Sequence, residues 1–294
     1  MAVKLDSYRV FCEVAKHQSF SGAAKFLYMT QPAVSQTIMN LEQELGTRLF
    51  TRTSKGVNLT TDGQLLYEYA SSAVNLIDAG EKKLSESRDL MTGELKIGVG
   101  DTISRHYLLP YLEVFHNRFP NIKLKIINRT TMELCNILKS GEIDIALCNL
   151  PVKDSALDVK KCIAIHDIFV CGEKYKQLTL SPISLEMISK QPSIFLERKS
   201  NSRQYVEKFF ALKGIKLQPE IELGSHELLL EFSRFNFGIA CVIEEFSQEY
   251  LKNGLLYKLK LKEEIPERAI GFCFLKSVPL SSVAGKFVSI VEKG

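Results

Sequence analysis

SFSGAAKFLYMTQPAVSQTIMNLEQELGTRLF, residues 19–50, decides how this chain is read. Two short helical patterns are joined there by a tight polar turn. The Ser21 hydroxyl can cap a helix in which Ala23, Ala24 and Leu27 form one small apolar face. Tyr28 to Thr30 break the pattern, and Pro32 fits the first turn of a new helix, where its missing N–H costs nothing. In that second helix Val34, Ile38, Leu41 and Leu45 recur at spacings of four, three and four, which predicts one buried stripe. Gln31, Ala33, Ser35, Gln36, Met39 and Asn40 fall elsewhere, and those near the N-terminal end are small or amide-bearing. These are the residues that a helix needs if it enters a major groove and offers donors and acceptors to base edges. Gln36 suits an adenine edge and Ser35 a base or a phosphate, while Thr30 would hold a phosphate beside the positive end of the helix dipole. A pair of packed helices with a solvated polar face would give the same local pattern, so the flanking segments decide.

Upstream, Leu5, Tyr8, Phe11, Cys12 and Ala15 recur at helical spacing, enough to close a three-helix core. Downstream, LGTRLFTRTSKGVNLT, residues 45–60, alternates apolar and polar residues and turns at Ser54, Lys55 and Gly56, which predicts a short hairpin. Residues 1–60 therefore read as a winged helix-turn-helix. They hold seven bases against four acids, a surplus of three within a whole-chain net charge of +4. The basic excess lies where phosphate attraction would use it, and a second copy of the chain would double it.

The order and spacing of these pieces resemble the LysR-type transcriptional regulators. The matching segments are SFSGAA at 19–24, TQPAVSQTI from Thr30, LEQELGTRLFTR from Leu41 and LTTDG from Leu59, and the resemblance extends over the whole chain. It implies that Gln31, Pro32, Ala33, Ser35 and Gln36 face the major groove. Ser21 and Asn40 join the candidate DNA-binding set. Arg52 would lie near the DNA backbone, and the wing-tip Lys55 would reach toward the minor groove. Gln36 departs from the Arg that relatives often carry there, so guanine readout is not implied.

From Thr60 to Arg88 there is no proline, and Leu66, Tyr69, Ala73, Leu76, Gly80 and Leu84 recur at spacings of three and four. Such a seam needs a partner helix, either another part of its own chain or a second copy; a helix this long exceeds what a sixty-residue domain can cover, so residues 61–90 are read as a linker and dimerisation helix. Paired recognition helices would then bind an inverted repeat in double-stranded DNA, as a homodimer or homotetramer.

Residues 91–94 mark a junction, after which strands and helices alternate: Leu95–Val99, Lys123–Asn128 and Ile143–Leu147 as strands, Ile103–Phe119 and Met132–Ser140 as helices. The expected fold class is α/β, with a mostly parallel sheet. Looser repetition from Asp167 to Tyr257 suggests two lobes rather than one sheet. The resemblance implies a periplasmic-binding-protein-like effector domain over 91–294, with one lobe at about 91–163 and 267–294 and the other at about 164–266. Crossing strands are expected near Cys162–His166 and Glu264–Ile270.

A ligand in such a fold sits at the carboxyl ends of strands and the starts of the following helices. That rule selects Asp101, Thr102, Ser104, Thr130, Thr131 and Asn149 from one lobe and Ser200, Ser202, Ser225 and His226 from the other. Each residue taken alone is an ordinary helix cap; their common location suits a small polar or anionic effector. Asp101 would repel an anion unless Arg105 or Arg203 compensates. By the same resemblance, the effector would act by shifting the population of lobe arrangements, changing DNA bending or contact with RNA polymerase.

Other classes of function find no support. The seven cysteines are scattered without CxxC spacing and read as reduced core residues. The five histidines show no ligand spacing in sequence, so no metal is expected. No Ser-His-Asp, P-loop or dinucleotide fingerprint appears, and Gly98 and Gly100 lack a third glycine. No catalytic residue and no cofactor is assigned, which disfavours an enzyme. MAVKLDSYRV has no signal-peptide core, and no apolar run approaches the roughly 18 to 20 residues a membrane span needs. The expectation is a cytoplasmic protein without membrane association rather than a secreted solute-binding protein.

Overall fold

A computed structural model describes residues 3–53, 56–86 and 93–293, with the side chains at 52, 53, 82, 83, 85 and 86 left undescribed. The chain forms two compact units, one built on residues 1–89 and the other on most of 90–294.

In the first unit, α1 (Leu5–His17), α2 (Phe20–Phe26) and α3 (Gln31–Leu45) precede a two-stranded wing of β1 (Phe50–Thr53) and β2 (Gly56–Leu59), then the long α4 (Thr61–Glu86). Phe11, Val14, Ala23, Val34, Ile38, Leu41 and Leu49 form its core, with Phe11 and Phe50 ring to ring at 5.3 Å. The cap of α2 is Ser19, whose Oγ accepts from Gly22 N at 3.1 Å; Ser21 lies exposed as the second residue of the helix. Thr30 caps α3, accepting from Ala33 N at 3.4 Å, and Gly46 closes that helix at φ 68°. Leu45 is 38 % exposed, so the buried stripe of α3 ends one turn earlier than the sequence suggests. Glu42 ties α3 to the wing, its Oε1 accepting from Leu49 N at 2.6 Å and Phe50 N at 3.2 Å. The antiparallel hairpin forms as expected, pairing Phe50 with Leu59; the turn residues Ser54 and Lys55 lie outside the described residues.

Thr60 caps α4 through Gly63 N at 2.9 Å. A Cβ on Gly63 would sit 2.1 Å from the Leu49 carbonyl, so only glycine lets α4 start this close to the wing. The apolar residues of the helix differ in burial. Gly63, Ala70 and Val74, with Leu66 and Tyr67 half-buried, pack on the unit's own core, while Leu65, Tyr69, Ile77 and Leu84 stay exposed. The residues of the seam read from sequence share one face but differ in burial: Leu66 and Leu76 are half-buried, and Tyr69, Ala73, Gly80 and Leu84 are exposed.

The second unit contains two five-stranded sheets. Its elements are β3 (Gly93–Val99), α5 (Asp101–Ile103), α6 (Leu109–Arg118), β4 (Ile122–Asn128), α7 (Thr131–Lys139), β5 (Ile145–Asn149), β6 (Leu157–Ile165) and β7 (Asp167–Cys171). There follow α8 (Leu185–Ser189), β8 (Ser193–Leu196), α9 (Asn201–Leu212), β9 (Ile221–Leu223), α10 (His226–Arg234), β10 (Ile239–Ile243), α11 (Gln248–Lys252), β11 (Tyr257–Lys258), β12 (Arg268–Leu275) and α12 (Ser282–Lys293). One sheet runs β4-β3-β5-β12-β6, the other β11-β7-β10-β8-β9.

In each sheet four strands run one way, β4, β3, β5 and β6 or β11, β10, β8 and β9, and a single strand, β12 or β7, runs against them and is antiparallel to both its neighbours. The chain passes from the first sheet to the second between β6 and β7 and returns into β12, and these crossings supply antiparallel pairing. Gly98 serves packing, not phosphate binding: a Cβ there would meet Ile143 and Leu134 at 2.5 and 2.7 Å. Between α5 and α6, Ser104–Leu108 widens into a π-helical turn. Pro110 follows and has no N–H to continue the ordinary ladder, which accounts for the wider turn. No described helix is long and apolar enough to cross a membrane.

Candidate functional site

The face of α3 opposite its buried stripe carries two amide-bearing pairs one turn apart. Gln31 Nε2 donates to Ser35 Oγ at 2.8 Å, and Gln36 Nε2 to Asn40 Oδ1 at 2.8 Å. Each bond limits the rotamers of a long side chain while leaving Gln36 Oε1 and Asn40 Nδ2 free to pair outward. Gln31, Pro32, Gln36 and Asn40 are exposed, Ala33 and Ser35 half-buried. Thr30 divides its capacity, since its Oγ1 already caps the helix. Ser21 is exposed on α2. The Arg52 side chain and Lys55 lie outside what the structure describes.

In the second unit a cleft of about 400 Å³ opens between the two sheets. Asp101, Thr102, Thr130, Thr131, Asn149, Ser200, Ser202 and His226 line it, eight of the ten positions named from sequence. Ser104 and Ser225 do not: the Ser104 hydroxyl is buried without a partner, and Ser225 Oγ donates to Glu227 Oε2 at 3.1 Å. Thr130 and Glu133 form a reciprocal cap at the start of α7, at 2.7 Å between side chains and 3.0 Å from Thr130 N to the carboxylate. Ser200 caps α9 weakly, at 3.5 Å to Arg203 N.

Sequence reasoning missed Arg268. Arg268, at the start of β12, is 4 % exposed and forms a two-pronged pair with Asp167, at 2.5 and 2.8 Å. The same guanidinium donates to Asn149 Oδ1 at 2.7 Å and Ser202 Oγ at 2.8 Å. One buried cation thus joins the end of β5, the start of β7 and the first turn of α9, and it already engages two of the polar groups assigned to an effector. Arg203 is buried against the Phe195 ring at 4.5 Å and pairs with Glu207 at 2.6 Å. Arg105 turns to Glu227, 3.7 Å away. Neither offsets Asp101, which accepts from Asn128 Nδ2 at 3.3 Å. The other cations on the lining are Arg129 and Lys199, opposed by Glu133 and Glu197. The walls thus carry both signs of charge, which suits a small polar molecule better than a simple anion.

Among the described residues, Asn201 Oδ1, Arg203 Nε and His226 Nδ1 are buried without a hydrogen-bond partner, and all three residues line the cleft. Orphaned polar atoms gathered at one cavity mark it as a place where a ligand completes the bonding.

His226 belongs to a group hidden from the sequence by distance along the chain. His106, His226 and Glu227 bring ring nitrogens and a carboxylate within 4.8 Å of one another. That is the reach of a metal site, yet Ile243 N donates to His226 Nε2 at 3.2 Å. The neutral ring must then carry its proton on Nδ1, and it turns no lone pair toward the group. Burial holds the ring neutral, pushing its pKa down to about 4. What remains is a latch: His106 Nε2 lies 2.7 Å from Glu227 Oε1, joining the helix after β3 to α10. Burial works to raise the Glu227 carboxyl, but the bonds from His106 and Ser225 outweigh it and leave its pKa lowered.

The cysteines whose titration is displaced are all held toward the thiol. Burial pushes Cys12 up to about 12 and Cys171 to about 11 and raises Cys162, while neighbouring thiols together with burial raise Cys148.

Two family models match this chain. The one described as bacterial regulatory helix-turn-helix protein, lysR family, covers residues 5–64, and the LysR substrate binding domain covers residues 88–294. The RuBisCO operon transcriptional regulator of Allochromatium vinosum is 27 % identical over 99 % of this chain and 96 % of its own length. YcgK of Bacillus subtilis, an uncharacterized HTH-type transcriptional regulator, is 25 % identical over 99 % of this chain and 94 % of its own. Among solved structures, a full-length OxyR variant from Pseudomonas aeruginosa superposes with a TM-score of 0.73 at 18 % identity, covering 100 % of this chain and 94 % of that one. Full-length CbnR in complex with its target DNA gives 0.65 at 17 %, covering 99 % of both chains.

Proposed function

Since the chain belongs to the LysR-type transcriptional regulators, with a DNA-binding helix-turn-helix and an effector-binding domain, we propose which of its residues perform each task. Residues 1–60 read DNA, 61–90 link and dimerise, and 91–294 bind the effector, in lobes of about 91–163 with 267–294 and about 164–266. Gln31, Pro32, Ala33, Ser35, Gln36 and Asn40 face the major groove, Thr30 and Ser21 lie toward phosphates, and Arg52 and Lys55 serve the backbone and minor groove. The observation that carries this assignment is the ordered pair of amides, Gln36 with Asn40, on the exposed face of a helix whose other face is core.

The outer face of α4, with Leu65, Tyr69, Ile77 and Leu84, supports a homodimer or homotetramer on an inverted repeat. A small polar effector of mixed charge binds the cleft against Asp101, Thr102, Thr130, Thr131, Ser200 and His226. It biases the lobe arrangement and thereby DNA bending or contact with RNA polymerase, in the cytoplasm and without chemical turnover. An effector with equal affinity for both arrangements would shift nothing.

The test is base-by-base. Gln36→Ala should change preference at one position in each half-site by about 1–3 kcal/mol and leave other positions unaffected. A uniform loss at all sequences would remove Gln36 from the reading face.

A further inference from the structure

Among the described residues three non-glycine positions adopt a left-handed backbone, Gln18 at φ 50°, Tyr28 at φ 54° and Asn236 at φ 65°. In two of them the fold recovers the cost. The Gln18 carbonyl accepts from Val57 N at 3.0 Å, tying the wing to α1, and Asn236 Oδ1 accepts from Lys174 N at 2.9 Å. Tyr28 is different. It occupies the stop position after α2, where Met29 N reaches back to Ala24 O at 2.9 Å and glycine is the usual occupant. Its side chain is 98 % exposed and makes no hydrogen bond or ring contact among the described residues. A bulky residue is strained here, and its side chain gives nothing back within the chain.

The position supplies the reason. Tyr28 stands two residues before Thr30, the cap of the helix that presents Gln31, Ser35 and Gln36. In a helix-turn-helix the segment leading into the recognition helix borders the phosphate strand beside the groove, and tyrosine hydroxyls are among the groups that bond phosphate oxygens. We propose that Tyr28 is a DNA-backbone contact of this protein, its phenol O–H donating to a phosphate oxygen at the edge of the groove that α3 enters. This rests on α3 being the recognition helix. The contact is uncharged, so it adds affinity without sequence preference and without releasing a counterion.

The experiment uses the full-length chain, a duplex carrying a selected site and a random-sequence duplex, with affinity measured at several salt concentrations. Tyr28→Phe should weaken both duplexes by the same factor, about three- to thirtyfold, with the salt slope unchanged. Tyr28→Gly should weaken DNA binding at least as much while raising the melting temperature of the N-terminal unit, because glycine relieves the left-handed strain. That opposition distinguishes a contact from a folding defect. Tyr28→Phe binding within twofold of the parent protein overturns the proposal, whether or not Tyr28→Gly is weaker, because the ring alone would then be responsible. A parent protein that binds neither duplex overturns the recognition-helix assignment as well, whereas parental binding with unaffected variants overturns only Tyr28.

Discussion

Removing the charge of Asp167 tests the energetics of the cleft floor. Asp167 and Arg268 have side chains 2 % and 1 % exposed, and each begins a strand that follows a crossing between the sheets. Asp167→Asn keeps the size of the side chain but leaves a buried guanidinium without its counter-charge, which costs about 3–5 kcal/mol. For a domain of this size about 1 kcal/mol shifts the melting temperature by roughly 2–4 °C, so the loss should be about 6–20 °C. The chain has no tryptophan, so calorimetry of the full-length protein is the suitable assay, following the transition of the α/β unit. Asp167→Leu combined with Arg268→Met removes both charges together and should be less harmful than Asp167→Asn alone. Effector affinity should fall in the double variant, where Asn149 and Ser202 lose the guanidinium that orients them. A shift of less than about 3 °C for Asp167→Asn, or a double variant worse than the single, would refute the account of this pair.

Tyr69→Asp on the outer face of α4 should dissociate the oligomer with little effect on the fold of the protomer, as sedimentation at graded concentrations would reveal; unchanged association would remove that face from the interface. His166, between β6 and β7, has its pKa raised above the ordinary 6.5 by its hydrogen bond to Glu245 at 2.6 Å. Its contribution is therefore complete below pH 6.5 and fades as pH rises through the elevated folded value, and it is small because the side chain is 48 % exposed. His166→Gln should flatten that part of a stability–pH curve, and an unchanged curve would contradict the assignment. Ser19→Ala should cost about 1 kcal/mol in urea unfolding and Ser21→Ala close to nothing, because only Ser19 caps α2; equal effects would return the cap to ambiguity.

The helix-turn-helix was legible because its signals are local. A cap, a proline in the first turn, a glycine stop and a three-four apolar period all act within one or two turns. The errors there were also local: SFSG offers two serines within one turn of the helix start, and Leu45 continues the period past the point where neighbours still cover it. In α4 the period defined one face but not which of its residues the unit's own core covers: Leu66 is half-buried and Leu84, about five turns on, is exposed. Strand ends and helix starts gave eight of the ten cleft positions, since that geometry follows from alternating β and α segments. The Arg268–Asp167 pair spans 101 residues and the His106–Glu227 latch 121, and no local pattern encodes such pairings. One trace was present: Asp167 and Arg268 are each the last charge before an apolar strand, IFVC and AIGFCF, where burial is expected and a partner is required.

The central claim is that this chain reads a symmetric DNA site and that a molecule in the cleft alters how it does so. The most direct test is selection of genomic fragments by the purified full-length protein at a stated salt concentration, followed by footprinting of the enriched sites. The account predicts enrichment of a two-fold symmetric sequence protected over both half-sites. Retention of fragments without a common sequence, falling away with salt as a nonspecific contact does, would contradict it.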